Sequence, residues 1–109
     1  MEIKQKYLFK IIWSRTSIGI AVNQIYDNYY DIPLTTFYFW PKEDGWQLLK
    51  LELDSKPWIL ESSKNIILNG YALLIDYWIK NVNHNINFLQ FSKKNIDLSI
   101  EILAINSLE

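Results

Sequence analysis

The sequence has no cysteine, one histidine, one arginine and three glycines among its 109 residues. Without cysteine there are no disulfides and no thiolate metal sites. The single histidine, His84, sits in the asparagine-rich stretch NVNHN. It reads as a solvated loop residue rather than as the base that a serine nucleophile needs beside it. Metal binding calls for a cluster of histidines or acids. Glu43 with Asp44, and Glu52 with Asp54, are close in sequence but match no known cation loop. Gly19, Gly45 and Gly70 are scattered and form no phosphate-cradling loop. No apolar run approaches the roughly 18 residues that a membrane helix requires. A large excess of one charge is also missing: the formal net charge is −1. A protein that wraps nucleic acid by charge alone would be strongly basic, so any RNA contact has to come from a local patch. Enzyme, metal site, cofactor site and membrane span all lack their usual residues.

Hydrophobic and aromatic residues are plentiful. Half the residues are hydrophobic and 16% are aromatic, enough for a core in one domain of this length. Seventeen isoleucines, ten asparagines and ten lysines against one arginine are the bias of an AT-rich genome, as in an organelle or an AT-rich microbe. Met1 to Lys10 has neither the apolar run of a secretion signal nor the Ser- and Arg-rich character of a transit peptide. The expectation is a chain made where it works, or one already processed.

Period-two alternation over residues 4–13 predicts a strand with Tyr7, Phe9, Ile11 and Trp13 on one face. Ser14 to Ser17 suits a turn, and 18–25 then completes an antiparallel hairpin; a helix over 18–25 is the competing reading. Asp27 to Pro33 is turn-like. In TTFYFWPKEDGW, Thr35 to Trp46, a strand ends at Pro41, which cannot donate to a ladder. Adjacent strand residues face opposite ways. Phe37 and Phe39, without polar atoms, are therefore expected on the helix-covered side, and Tyr38 and Trp40 on the other. Asp44 caps a helix that stops near Asp54 or Ser55, because Lys56 precedes a proline. Ser62 or Ser63 caps a second helix to about Lys80, with Ile67, Tyr71, Leu74, Ile75 and Trp78 on one face. Residues 86–91 and 96–105 read as two further strands. The expected core includes Phe39, Trp46, Leu49, Leu53, Ile75 and Trp78. The fold class is α+β: a small antiparallel sheet with two helices packed on it and a C-terminal strand pair.

Two features bear on binding. Lys4, Lys6 and Lys10 share one strand face and, with Arg15, form the densest positive cluster; they could track a phosphate backbone. Lysines that protect an edge strand from aggregation are the simpler reading. The aromatics are likewise mostly core, since burying a ring is worth about as much as stacking a base on it, roughly 1–3 kcal/mol. Trp58 is the exception, because it follows Pro57 in an extended connector.

FKIIW at Phe9, IGIAVNQ at Ile18, PLTTFYFWP at Pro33, GWQLLKLEL at Gly45, KPWI at Lys56 and ILNGYALLIDYW at Ile67 occur in this order. Together they resemble the plastid-specific ribosomal protein 3 family of the chloroplast small subunit, also found in cyanobacteria. Gly45 stands where that family usually has alanine, and Tyr71 and Leu73 replace smaller or charged residues. The resemblance implies a family-like domain over 1–80 and a C-terminal extension over 81–109. It implies a non-catalytic structural component of the 30S subunit in the chloroplast stroma, without cofactor, metal, membrane or small-molecule substrate. Its expected partners are 16S rRNA, met by Lys4, Lys6, Lys10 and Arg15, and neighbouring ribosomal proteins, met by Tyr38, Trp40 and Trp58. The rival is a stromal binding module or regulatory adaptor that visits the ribosome transiently.

Overall fold

The computed structural model describes residues 6–26, 30–82 and 99–106. Strand β1 (Lys6–Ser14) and strand β2 (Ile18–Ile25) form the expected antiparallel hairpin, with Trp13 opposite Ile18 and Phe9 opposite Val22. Serine chemistry closes the turn. The Ser14 hydroxyl donates to the Ser17 carbonyl at 2.9 Å and accepts from the Ser17 amide at 3.1 Å, the local side-chain bonding that favours serine in turns.

Strand β3 (Asp31–Pro33) and strand β4 (Tyr38–Trp40) pair one after the other with the far edge of β2, both antiparallel. Thr35 bridges the gap between them: the Val22 amide donates to its hydroxyl at 3.0 Å, while the Leu34 and Thr35 amides donate to the Val22 carbonyl. Helix α1 (Gly45–Asp54) and helix α2 (Glu61–Asn81) follow. Strand β5 (Ser99–Asn106) joins the other edge, alongside β1.

The α+β class holds, with a sheet more mixed than expected, because β5 runs parallel to β1. Residues 86–91, the other expected C-terminal strand, lie outside the described residues. The Asp44 carboxylate caps α1 by accepting from the Gln47 amide at 3.2 Å, as expected. The start of α2 differs. Leu60 is its N-cap, without a side-chain cap bond, and Ser63 is buried inside the first turn. Burial took Ser63 out of the capping position that its residue type favours.

One face of the sheet meets the helices. Tyr7, Phe9, Ile11 and Trp13 from β1 and Ile18, Ile20 and Val22 from β2 are buried against Leu49, Leu53, Ile67, Tyr71, Leu74, Ile75 and Trp78. Trp78 also donates its indole N–H to the Ser14 carbonyl at 2.8 Å, tying α2 to the end of β1. Trp46 is half-buried and packs against this cluster.

The aromatic strand obeys parity in the opposite sense to that expected. Tyr38 and Trp40 pack on the helix-facing core, and Phe37 and Phe39 lie on the other side. Register decides this: Trp40 is opposite Ile18 and Tyr38 is opposite Ile20, and residues directly opposite in a ladder share a face. Phe39 falls opposite Gly19, where a Cβ would run into its ring. Tyrosine is tolerated inside because α1 supplies an acceptor: the Tyr38 hydroxyl donates to Glu52 Oε1 at 2.9 Å.

Candidate nucleic-acid interface

The helices cover one side of the sheet. The other side carries Leu8, Lys10 and Ile12 from β1, Gly19 and Ala21 from β2, and the two phenylalanines. Leu8, Lys10, Ile12, Phe37 and Phe39 are all partly exposed there. The Phe37 and Phe39 rings lie 6.4 Å apart, tilted by 33°. The Lys10 ammonium stands 5.9 Å from the centre of the Phe37 ring, within cation–π reach. Next to Phe39 is a depression of about 450 Å³ lined by Ile12, Ser14, Thr16, Ser17, Phe39, Lys42, Glu43 and Ala104, a volume in the range of small-molecule sites.

Charge is divided between the two layers. Each helix lysine, and Lys56 just after α1, has a carboxylate: Lys50 with Asp54 at 3.0 Å, Lys56 with Glu52 at 3.1 Å, Lys64 with Glu61 at 3.3 Å and Asp54 at 3.6 Å, and Lys80 with Asp76 at 2.9 Å. Hydrogen bonding from Lys50 holds the Asp54 carboxyl below its ordinary pKa. Among the described residues, Lys10, Arg15 and Lys42 form no salt bridge. Two carboxylates share their side of the molecule. Glu43 accepts from the Phe39 amide at 3.2 Å, and Glu101 of β5 stands opposite Lys10 in the ladder. Exposed ion pairs stabilise a fold by little. The division matters because, among the described residues, it leaves positive charge without a salt-bridge partner on the side of the sheet away from the helices.

Of the residues expected to meet RNA, Lys10 is on this open face and Arg15 is in the exposed β1–β2 turn beside the depression. Lys4 lies outside the described residues, as does the side chain of Lys6. Lys42 was missed: in PKED it is one cation beside two acids, and only the chain reversal after β4 brings it to Ser14 and Ser17. Of the residues expected to dock protein, Trp58 is 69% exposed. It borders a smaller depression of about 160 Å³ with Tyr7, Gln24, Tyr26, Leu34, Ile59 and Leu60, and these described lining residues include no lysine or arginine. Tyr38 and Trp40 are half-buried against the helix layer, not on the open face where parity was expected to put them.

Two phenols in the interior, Tyr38 and Tyr71, are held in their protonated form. Burial, helped by the hydrogen bond to Glu52, pushes the Tyr38 phenol up to about 12. Burial also raises Tyr71, with Glu43 and Asp44 adding to the effect. Both therefore stay protonated donors at neutral pH, and Tyr71 donates to the Tyr38 carbonyl at 3.1 Å. Among the described residues no three acidic or histidine side chains converge as a metal site would require.

These features define a small α+β domain, with one sheet face packed on helices and the other carrying partly exposed aromatics and cations that form no salt bridge among the described residues. Residues 34–81 match the family model described as plastid and cyanobacterial ribosomal protein (PSRP-3 / Ycf65). The chain is 42% identical over 77 residues, 71% of its length, to the small ribosomal subunit protein cS23 of Cyanidium caldarium, of which it covers 75%. It is 41% identical over 73 residues, 67% of its length, to a probable cS23 of Synechococcus sp. (strain JA-3-3Ab), covering 73% of that protein. With cS23y of Arabidopsis thaliana the identity is 39% over 75 residues, 69% of this chain but 41% of that longer one. The chain belongs to the plastid and cyanobacterial ribosomal protein family PSRP-3 / Ycf65.

Proposed function

We propose that this chain is a structural constituent of the small ribosomal subunit of plastids, working in the chloroplast stroma and not as an enzyme. It contacts 16S rRNA through Lys4, Lys6, Lys10 and Arg15. It docks on neighbouring ribosomal proteins through Trp58, with the uncovered parts of Tyr38 and Trp40 as further contacts. Residues 1–80 are the family domain, and 81–109 are an extension that contributes β5 as an edge strand. The observation that carries this reading is the 42% identity across three quarters of a protein named for the small ribosomal subunit. The charge pattern supports it: in a chain with a net charge of −1, Lys10 and Arg15 have no ion pair among the described residues while the helix lysines are paired. The lysine- and isoleucine-rich, arginine-poor composition is compatible with a plastid source.

Sedimentation tests the reading against a transient adaptor. A constituent remains with small subunits through a sucrose gradient at moderate salt, and an adaptor is recovered at the top. Recovery of most of the protein at the top would reject the structural role.

A further inference from the structure

We propose that the open face of the sheet, around Phe37, Phe39 and Lys10, is a stacking platform for unpaired bases of single-stranded ribosomal RNA. This rests on the ribosomal reading above and assigns that contact to a particular surface. Three observations converge. Phe37 and Phe39 are rings without polar atoms, partly exposed on a face that neither helix covers. Lys10 holds its ammonium over the Phe37 ring, 5.9 Å from its centre, so a base that stacks there takes the place of the ammonium, which swings aside to meet the backbone phosphate. Lys10, Arg15 and Lys42 lack salt bridges among the described residues, whereas Lys50, Lys64 and Lys80 on the helices and Lys56 just after α1 all have one.

That last contrast selects the occupant. An apolar protein surface would meet Phe37 and Phe39 but would bury the cations unpaired, which is strongly unfavourable. A nucleic-acid strand offers flat, sequence-tolerant partners for the rings and phosphates for the cations. The depression whose lining includes Ile12, Phe39, Lys42, Glu43 and Ala104 leaves room beside the Phe39 ring for a second base. Glu43 and Glu101 limit how closely a phosphate approaches, which places the strand along the Lys10–Phe37 line rather than over β5.

The test uses the full chain and small subunits prepared without it. Phe37→Leu keeps an apolar side chain but removes the ring. It should weaken association by about tenfold or more, the size of one lost base stack, with an unchanged melting temperature. Lys10→Gln should lower the slope of log affinity against log salt by about 0.7–0.9, one phosphate contact. Phe37→p-benzoylphenylalanine, irradiated on the subunit, should cross-link to rRNA. Parent-like binding of Phe37→Leu, or a cross-link to protein or to nothing, overturns the platform while leaving the ribosomal reading intact. Failure of the parent chain itself to bind subunits overturns both.

Discussion

Gly45→Ala places a methyl group where the Tyr71 hydroxyl now sits. A Cβ at position 45 would run into that oxygen and would lie 2.7 Å from the Phe39 carbonyl oxygen. In an ordinary helix, glycine to alanine gains up to about 1 kcal/mol. Overpacking a tight site opposes this with about 1–3 kcal/mol, so a net destabilisation of about 1 kcal/mol is expected. Tyr71→Phe removes the hydrogen bond to the Tyr38 carbonyl at a cost of about 1 kcal/mol. The two changes are not independent, because the oxygen deleted by the second is the atom struck by the first. The double variant should therefore be more stable than the sum of the single effects, with a coupling of at least about 0.5 kcal/mol. Rescue stays incomplete, since the Phe39 carbonyl does not move with Tyr71. Urea unfolding followed by tryptophan fluorescence gives all four stabilities. A Gly45→Ala variant more stable than the parent, or a double variant that is simply additive, would refute the argument.

Four further outcomes follow from the same packing. Trp78→Ala opens a cavity under α2 and removes the indole donor to the Ser14 carbonyl, and should cost about 3–5 kcal/mol in urea unfolding; a loss below 1 kcal/mol would contradict its place in the core. Gly19→Ala pushes on the Phe39 ring and should destabilise by about 1–3 kcal/mol, which Phe39→Leu in the same chain should partly relieve. The raised Tyr38 phenol favours the protonated native state, so stability should fall as pH rises from the ordinary tyrosine value near 10 towards about 12. Tyr38→Phe should lose less over that window, and equal losses would show that Tyr38 does not contribute. Trp58, the most exposed large hydrophobic side chain among the described residues, should carry most of the iodide-quenchable fluorescence, and Trp58→Phe should remove it.

Much of this arrangement was legible in the sequence because local rules and burial agree there. The β1–β2 hairpin follows from strict alternation, α1 from the Asp44 cap and Pro57, and the buried face of α2 from the spacing of Ile67, Tyr71, Leu74, Ile75 and Trp78. What was illegible depends on partners distant in the chain. Alternation shows that Tyr38 and Phe39 face opposite ways. Which of them faces the core depends on pairing with Ile20 and Gly19, and on Glu52 arriving from α1 to accept from Tyr38. Alternation within β1 and β5 does not show that the two strands run parallel. At the candidate interface, the cluster of Lys10 with Arg15 stood out by charge density alone. That Lys10 lies near Phe37 while the helix lysines are paired with acids is a property of the assembled layers. Gly19 and Gly45 looked incidental by spacing, yet each leaves space that an aromatic side chain fills.

A density map of small subunits washed at moderate salt tests the central claim most directly. The account predicts full-occupancy density for the sheet and both helices, with Lys10 and Phe37 facing rRNA and Trp58 turned towards a neighbouring protein. Otherwise complete subunits with no such density would contradict it.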